Sequence, residues 1–325
     1  MVGYDPTDTV HLSQLSHGLA GAASGVFTRA VSQPLDVLKI RFQLQVEPIV
    51  KGQNGAKYHS MLQACMVIHR EEGAKAFWKG HIPAQVLSVI FGVVQFTVFE
   101  VLTQQVSTKL PDTLTSDLKP VTHFVCGSLA GCAATLAAQP FDVIRTRFVA
   151  QGTNKMYRTM FHAARCMVVG EGSRALYKGL LPALVQITPQ NGFQFSFYSI
   201  FKGVYEHLLL KGGETGPAKK RPGSLESIVC GSGAGICAKV IVYPLDMIKK
   251  RLQIVGFAEG RAAFGTTRSY SGLRHCLRTI IVEESVRGLY KGLWPSVVKA
   301  MVTVGCSFWA YELFCNFMLQ IQPER

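Results

Sequence analysis

Charged side chains are scarce. Only 17% of the chain is Asp, Glu, Lys or Arg, where an ordinary soluble protein has roughly a quarter. Acids are the rarer sign: 20 Asp and Glu stand against 34 Lys and Arg, leaving a net charge of +14, while 48% of the residues are hydrophobic. With a mean hydropathy of +0.21 and 31 glycines, this excludes an intrinsically disordered chain. It points to helices packed closely in lipid. Paired cysteine motifs are missing too: the nine cysteines include no Cys-x-x-Cys, so neither a disulfide framework nor a metal site is expected. There is no G-x-S-x-G, H-E-x-x-H or Walker loop, so the reading is not an enzyme and requires no cofactor. The first residues lack a basic, apolar leader and carry Asp5 and Asp8, so any organelle address is expected to be internal.

What the chain does have is repetition. Pro-x-Asp-x-x-(Lys/Arg) occurs at Pro34, Asp36, Lys39, at Pro140, Asp142, Arg145, and at Pro244, Asp246, Lys249, about a third of the chain apart. Arg41, Arg147 and Arg251 follow in register. Thirteen and nine residues before each proline stands a Gly-x-x-x-Gly pair: Gly21 and Gly25, Gly127 and Gly131, Gly231 and Gly235. Downstream, Glu72-Gly73 leads to Trp78-Lys79-Gly80, Glu171-Gly172 to Tyr177-Lys178-Gly179, and Glu284-Ser285 to Tyr290-Lys291-Gly292. Tyr58, Tyr157 and Tyr270 precede those Lys-Gly glycines at one fixed interval. The expected units are residues 1–110, 111–215 and 216–325, forming one integral membrane domain.

Each unit reads as a helix, a basic loop with a short amphipathic helix, and a second helix. First helices are expected over 17–40, 120–146 and 224–250, and second helices over 82–105, 181–205 and 295–318. Each apolar stretch is about the 20 residues that span a bilayer, though none is uniformly apolar. The fold class is therefore an all-α membrane protein of six spans with threefold pseudosymmetry. The three loops hold seven Lys/Arg against three acids, seven against one, and nine against three. All the positive excess thus lies on one membrane face, where anionic lipid, not nucleic acid, is the expected neighbour. A proline inside each first helix bends it, and the acid and base that follow put both signs of charge on three converging ends. The Gly-x-x-x-Gly faces are expected to let each first helix approach a neighbour closely.

In these motifs the chain resembles the mitochondrial carrier family over residues 15 to 318. The resemblance implies a six-helix bundle in the mitochondrial inner membrane, loops in the matrix, and alternating access to one central site in a monomer. It also implies a matrix gate of Asp36 with Arg145, Asp142 with Lys249, and Asp246 with Lys39, braced by Gln43 and Gln253 with Val149 at the third brace position. A cytoplasmic gate should lie near the ends of the second helices. There only Glu100 with Lys202 is complete, because Thr103, Ser199 and Cys315 replace charged partners and Glu312 lacks one. The empty protein is therefore expected to rest open toward the intermembrane space.

Ionisable residues within the spans are candidates for ligand contact. Arg29 and Lys239 stand seven residues before Asp36 and Asp246, on the same face, and Thr135 holds that position in the second repeat. The family's contact positions on the second helices fall at Leu87, Gln186, Ile187 and Lys299, with Ser88 and Ala300 beside them. Three cations, Arg29, Lys239 and Lys299, without a cavity acid call for a phosphorylated polyanion. KIRFQLQVE, HFVCGSLAG and GFAEGRAAFG, the last filling extra length in the third loop, are similar to the thiamine pyrophosphate branch of the family. That similarity implies thiamine pyrophosphate import in exchange for nucleotides, with cardiolipin as the anionic lipid. The charge equally fits ADP, deoxynucleotides or coenzyme A, and a carrier homologue that does not transport is the remaining alternative.

Overall fold

A computed structural model describes residues 14–47, 56–109, 119–153, 155–211, 224–264 and 268–321. Six long helices dominate: α1 (Gln14–Leu44), α3 (His81–Lys109), α4 (Lys119–Ala150), α6 (Leu180–Lys211), α7 (Ser224–Gln253) and α9 (Leu293–Ile321). Short helices α2 (Met61–Glu72), α5 (Met160–Glu171) and α8 (Leu273–Gly288) lie in the loops. At 29 to 32 residues the long helices run about 45 Å, beyond the ~30 Å hydrocarbon layer. The first helix of each repeat runs past its expected end because the charged segment after the proline stays helical and buried on the loop face, as Arg41, Arg147 and Arg251 do. By length and composition α3, α4, α7 and α9 are apolar enough to cross a membrane among the described residues; α1 and α6 match them in length without an equally apolar stretch among those residues.

The ring is closed by contacts across repeat boundaries: α3 lies along α4, α6 along α7, and α9 along α1. The outer surface carries exposed apolar side chains such as Val89, Val93, Phe96, Leu129 and Phe195, as expected for helices that meet lipid rather than water. Inside, small and hydroxyl residues such as Ser24, Thr28, Ala134 and Ala238 are buried, and the well-packed core sits at the loop face.

The loop helices start and stop for local reasons. Ser60 Oγ accepts the Gln63 N–H at 3.3 Å and Thr159 Oγ1 the His162 N–H at 3.2 Å, satisfying donors at the two N-termini. Gly73 (φ 78°) and Gly172 (φ 83°) end them in a backbone region that disfavours side chains. The third repeat has Ser285 there, and it adopts the same conformation, φ 64° and ψ 173°. A side chain in this region costs about 1–3 kcal/mol. Ser285→Gly is therefore expected to raise the thermal unfolding temperature by a few degrees, and an unchanged or lower temperature would show the strain to be absent.

The Gly-x-x-x-Gly expectation needs correction. A Cβ on Gly21, Gly25, Gly231 or Gly235 would meet nothing within 4 Å, and only Gly131 is tightly approached, by Ile187 Cγ2 at 3.0 Å. The close approaches are made by the Lys-Gly glycines. Gly80, Gly179 and Gly292 have φ of 76°, 76° and 81°. A Cβ there would lie 3.0 Å from Arg145 O, 2.8 Å from Lys249 O and 2.9 Å from Lys39 O. Each repeat thus abuts the backbone of the gate base in the next.

Candidate functional site

The three prolines lie inside continuous helices α1, α4 and α7. The residue before each tethers its helix to the Lys-Gly turn of the same repeat. Gln33 Nε2 donates to Lys79 O at 3.0 Å, Gln139 Nε2 to Lys178 O at 2.9 Å, and Tyr243 Oη to Lys291 O at 2.9 Å. This position stands outside the repeated motifs above; its sequence signal is a hydrogen-bonding residue before every motif proline.

Just beyond, the helix ends exchange charges in a cycle. Arg145 Nη2 lies 2.6 Å from Asp36 Oδ2, Lys249 Nζ 2.8 Å from Asp142 Oδ2, and Lys39 Nζ 2.6 Å from Asp246 Oδ2. Gln253 Nε2 donates to Asp142 at 2.8 Å, and Gln43 Nε2 to Asp246 at 3.1 Å. Val149 provides no such brace for Asp36.

Two further cations join the ring. Lys250, buried on α7, donates to Asp142 Oδ1 at 2.8 Å, Thr146 Oγ1 at 3.0 Å and Gln253 Oε1 at 3.1 Å. Its one sequence signal was the doubled lysine, where the other repeats have Ile40 and Thr146. Lys299 Nζ sits 2.6 Å from Asp36 Oδ1. This corrects the expectation of three cavity cations without an acid, because in this state Lys299 is bound to the ring. A four-carbon stem lets it reach the acid that lacks a glutamine brace. Three carboxylates therefore face five cations, a charge arrangement that favours anions at the cavity floor.

A second tier lies beneath. Arg41 grips Glu72 through two N–H···O bonds, at 2.5 and 2.8 Å, and donates to Tyr58 Oη at 3.1 Å. Arg147 with Glu171 and Tyr157, and Arg251 with Glu284 and Tyr270, repeat the arrangement. The Lys-Gly lysine then links each Glu to the next repeat: Lys79 to Gly152 O at 2.8 Å, Lys178 to Val255 O at 2.7 Å, and Lys291 to Val46 O at 2.7 Å. Burial alone would raise the Glu72 and Glu171 carboxyls; the hydrogen bonds and charge from their Arg and Lys partners hold both below the ordinary value. The recurring Tyr, Glu, Lys and Arg offsets are explained by this tier.

Above the ring, a cavity of about 200 Å³ is lined by Lys39, Gln186, Gln190, Lys239, Val242, Tyr243 and Asp246. Among the described residues Lys239 Nζ donates to Ser296 O at 3.4 Å, and Gln186 donates to Gln190 at 3.1 Å. Arg29 is exposed on α1, Leu87 is half-buried, and Thr135 is buried. Ile187 packs on Gly131.

The opposite end is apart. Glu100 and Lys202 do not meet: Glu100 accepts from Gln104 at 3.4 Å, and Lys202 lies 3.9 Å from Glu206 on its own helix. Glu312 is exposed. Among the described residues no ion pair joins two helices at this end. With the loop-side ends drawn together by the ring, the other ends stay separated, and the expected pair is unmade in this state.

A closed ring of charges at one end of a six-helix bundle, beneath a cationic cavity whose other end is unpaired, defines a membrane transporter. The family profile "Mitochondrial carrier protein" matches residues 10–110, 116–208 and 220–322, and the chain belongs to that family. It is 48% identical over 320 residues to the mitochondrial thiamine pyrophosphate carrier of Bos taurus, covering 98% of this chain and 97% of that protein. The Homo sapiens protein of the same name is 47% identical over 318 residues, covering 97% and 96%. Mitochondrial thiamine diphosphate carrier 2 of Zea mays is 38% identical over 324 residues, covering 94% of each.

Proposed function

We propose that the chain is a multi-pass carrier of the mitochondrial inner membrane that imports thiamine pyrophosphate in exchange for matrix nucleotides. The carrying observation is the imbalance at the cavity floor, five cations to three carboxylates, with Arg29 and Lys239 above it. A pyrophosphate matches these donors in charge and hydrogen-bonding capacity. The near full-length identity to carriers named for this ligand selects it among phosphorylated metabolites. Arg29, Lys239 and Lys299 act as phosphate contacts, Gln186, Thr135, Leu87 and Ile187 as the remaining wall. The Asp36, Asp142 and Asp246 ring with its bases and braces is the matrix gate, and Glu100, Lys202 and Glu312 belong to the cytoplasmic one. The loop face is the matrix face, and the carrier works as a monomer built of repeats 1–110, 111–215 and 216–325. Cardiolipin is the proposed lipid partner, supported by a groove of about 920 Å³ between repeats 1 and 3, where Ser60, Met61, Gly292 and Trp294 bring two helix starts together.

The test is uptake of labelled thiamine pyrophosphate into proteoliposomes loaded with ADP. Saturable uptake that requires internal nucleotide is expected. Uptake of ADP, deoxynucleotides or coenzyme A with none of thiamine pyrophosphate would assign the carrier to another phosphorylated metabolite.

A further inference from the structure

The threefold pattern breaks at the third loop. The loop-face cores of repeat 1 (Leu38, Phe42, Tyr58, Ile68) and repeat 3 (Ile248, Tyr270, Cys276, Ile280) each draw on their own repeat. The core of repeat 2 does not. Around Val143, Tyr157 and Met167 it also holds Val37, Ile40 and Leu44 from repeat 1, and Ile254 and Phe257 from repeat 3.

The segment after α7 is fitted into this junction residue by residue. The Phe257 ring stacks on Tyr157 with centroids 5.1 Å apart and planes 15° from parallel, and the Arg147 guanidinium lies 5.6 Å from its centroid. Gly256, at φ +87°, has no room for a side chain, since a Cβ would sit 2.6 Å from Glu171 Oε2. Gly260 O accepts the Gly152 N–H at 3.4 Å. Arg261, 2% exposed, then donates from Nη2 to Leu44 O at 2.6 Å, at the end of α1, in a small pocket formed with Arg41, Gln45, Tyr58 and Ala150. Burial lowers its pKa to about 10, with Glu47 opposing that shift, so the group stays cationic at neutral pH.

We propose that residues 254–261 are a positioning element of the loop-side gate: Phe257 anchors the segment in repeat 2, and Arg261 pins the end of α1. The ring joins α1, α4 and α7, so an opening that parts α1 from the other two separates Leu44 from residue 261. Arg261 must then leave its pocket and regain water. Until water reaches it, the guanidinium is a buried charge deprived of its Leu44 acceptor, which is costly, so the pin is a barrier to opening that does not touch the ligand.

The test uses the full-length carrier reconstituted in liposomes, comparing Arg261→Gln, Arg261→Lys and the exposed control Glu259→Gln. Amide hydrogen exchange of residues 41–47 in the empty protein is the first measurement, and KM for thiamine pyrophosphate uptake the second. Arg261→Gln should speed exchange of 41–47 at least tenfold, Arg261→Lys should restore most of the protection, and the control should match wild type. KM should stay within twofold throughout. Unchanged exchange in Arg261→Gln would overturn the proposal, as would a tenfold rise in KM, which would make Arg261 a ligand contact. If Arg261→Gln does not fold, Arg261→Met decides: a tenfold or greater increase supports the pin, and wild-type protection in that variant rejects it. The exchange measurement needs no substrate, so it stands even if the proposed ligand is wrong.

Discussion

Gly179→Ala is expected to be the most damaging single-methyl addition among the three Lys-Gly turns. Its φ of +76° costs an alanine about 1–2 kcal/mol. The added Cβ would also lie 2.8 Å from Lys249 O and 3.2 Å from Gln253 Cγ. The first of these atoms is backbone in a buried helix and cannot rotate away, so overpacking adds about 1–3 kcal/mol. Relief by shifting α7 would drag Lys249, Lys250 and Gln253 off Asp142 together and open the best-braced corner of the ring. Gly80→Ala, with its nearest contact at 3.0 Å, should be milder. Gly25→Ala and Gly235→Ala meet open space and should be neutral or slightly stabilising, because alanine favours helix over glycine by about 1 kcal/mol. Thermal unfolding of the detergent-solubilised carrier ranks the variants. A Gly179→Ala protein that melts with wild type would show that the gate interface can yield at no cost.

That ranking reverses the reading from spacing, and the reversal is physical. Gly-x-x-x-Gly tells which face of a helix is smooth; it does not tell whether a neighbour occupies that face, and in repeats 1 and 3 none does. The Lys-Gly glycines are legible only as a recurring offset, and the atom each must avoid belongs to the next repeat. The same limit governs the charges. Fixed offsets placed Asp36, Asp142 and Asp246 at one level with Lys39, Arg145 and Lys249, and helix periodicity carried those residues to a shared axis, so the six-member ring was legible. Lys250 was legible only as a doubled letter. Whether it met lipid, water or Asp142 depended on how α7 turns against α4. For Lys299 neither a partner nor a reach was legible, since a lysine stem spans more than a helical turn. The third loop was visible as extra length alone; its insertion beneath repeat 2 rests on Phe257 finding Tyr157, a contact between residues remote in the chain.

Lys299→Ala is expected to abolish exchange, and to do so through two losses at once. As one of the three proposed phosphate contacts, with Arg29 and Lys239, it would contribute a charge-assisted bond of about 1.5–3 kcal/mol in the bound state, or roughly ten- to a hundredfold in affinity. In the empty carrier the same ammonium holds Asp36 Oδ1 at 2.6 Å, at the corner that has no glutamine brace. An incoming pyrophosphate must draw Lys299 from Asp36, leaving that carboxylate to Arg145 alone, so ligand capture weakens one corner of the ring it sits on. Arg29→Ala and Lys239→Ala remove a contact without touching the ring. They should lose uptake yet melt close to wild type, whereas Lys299→Ala should lose uptake and also melt lower. Asp36→Asn is the informative partner: in its presence, Lys299→Ala should cost little further stability but still cost transport. Uptake from proteoliposomes and thermal unfolding separate the two roles. Near wild-type uptake in any two of the three alanine variants would sink the proposed cavity, and equal melting of Lys299→Ala and wild type would remove Lys299 from the gate while leaving it in the site.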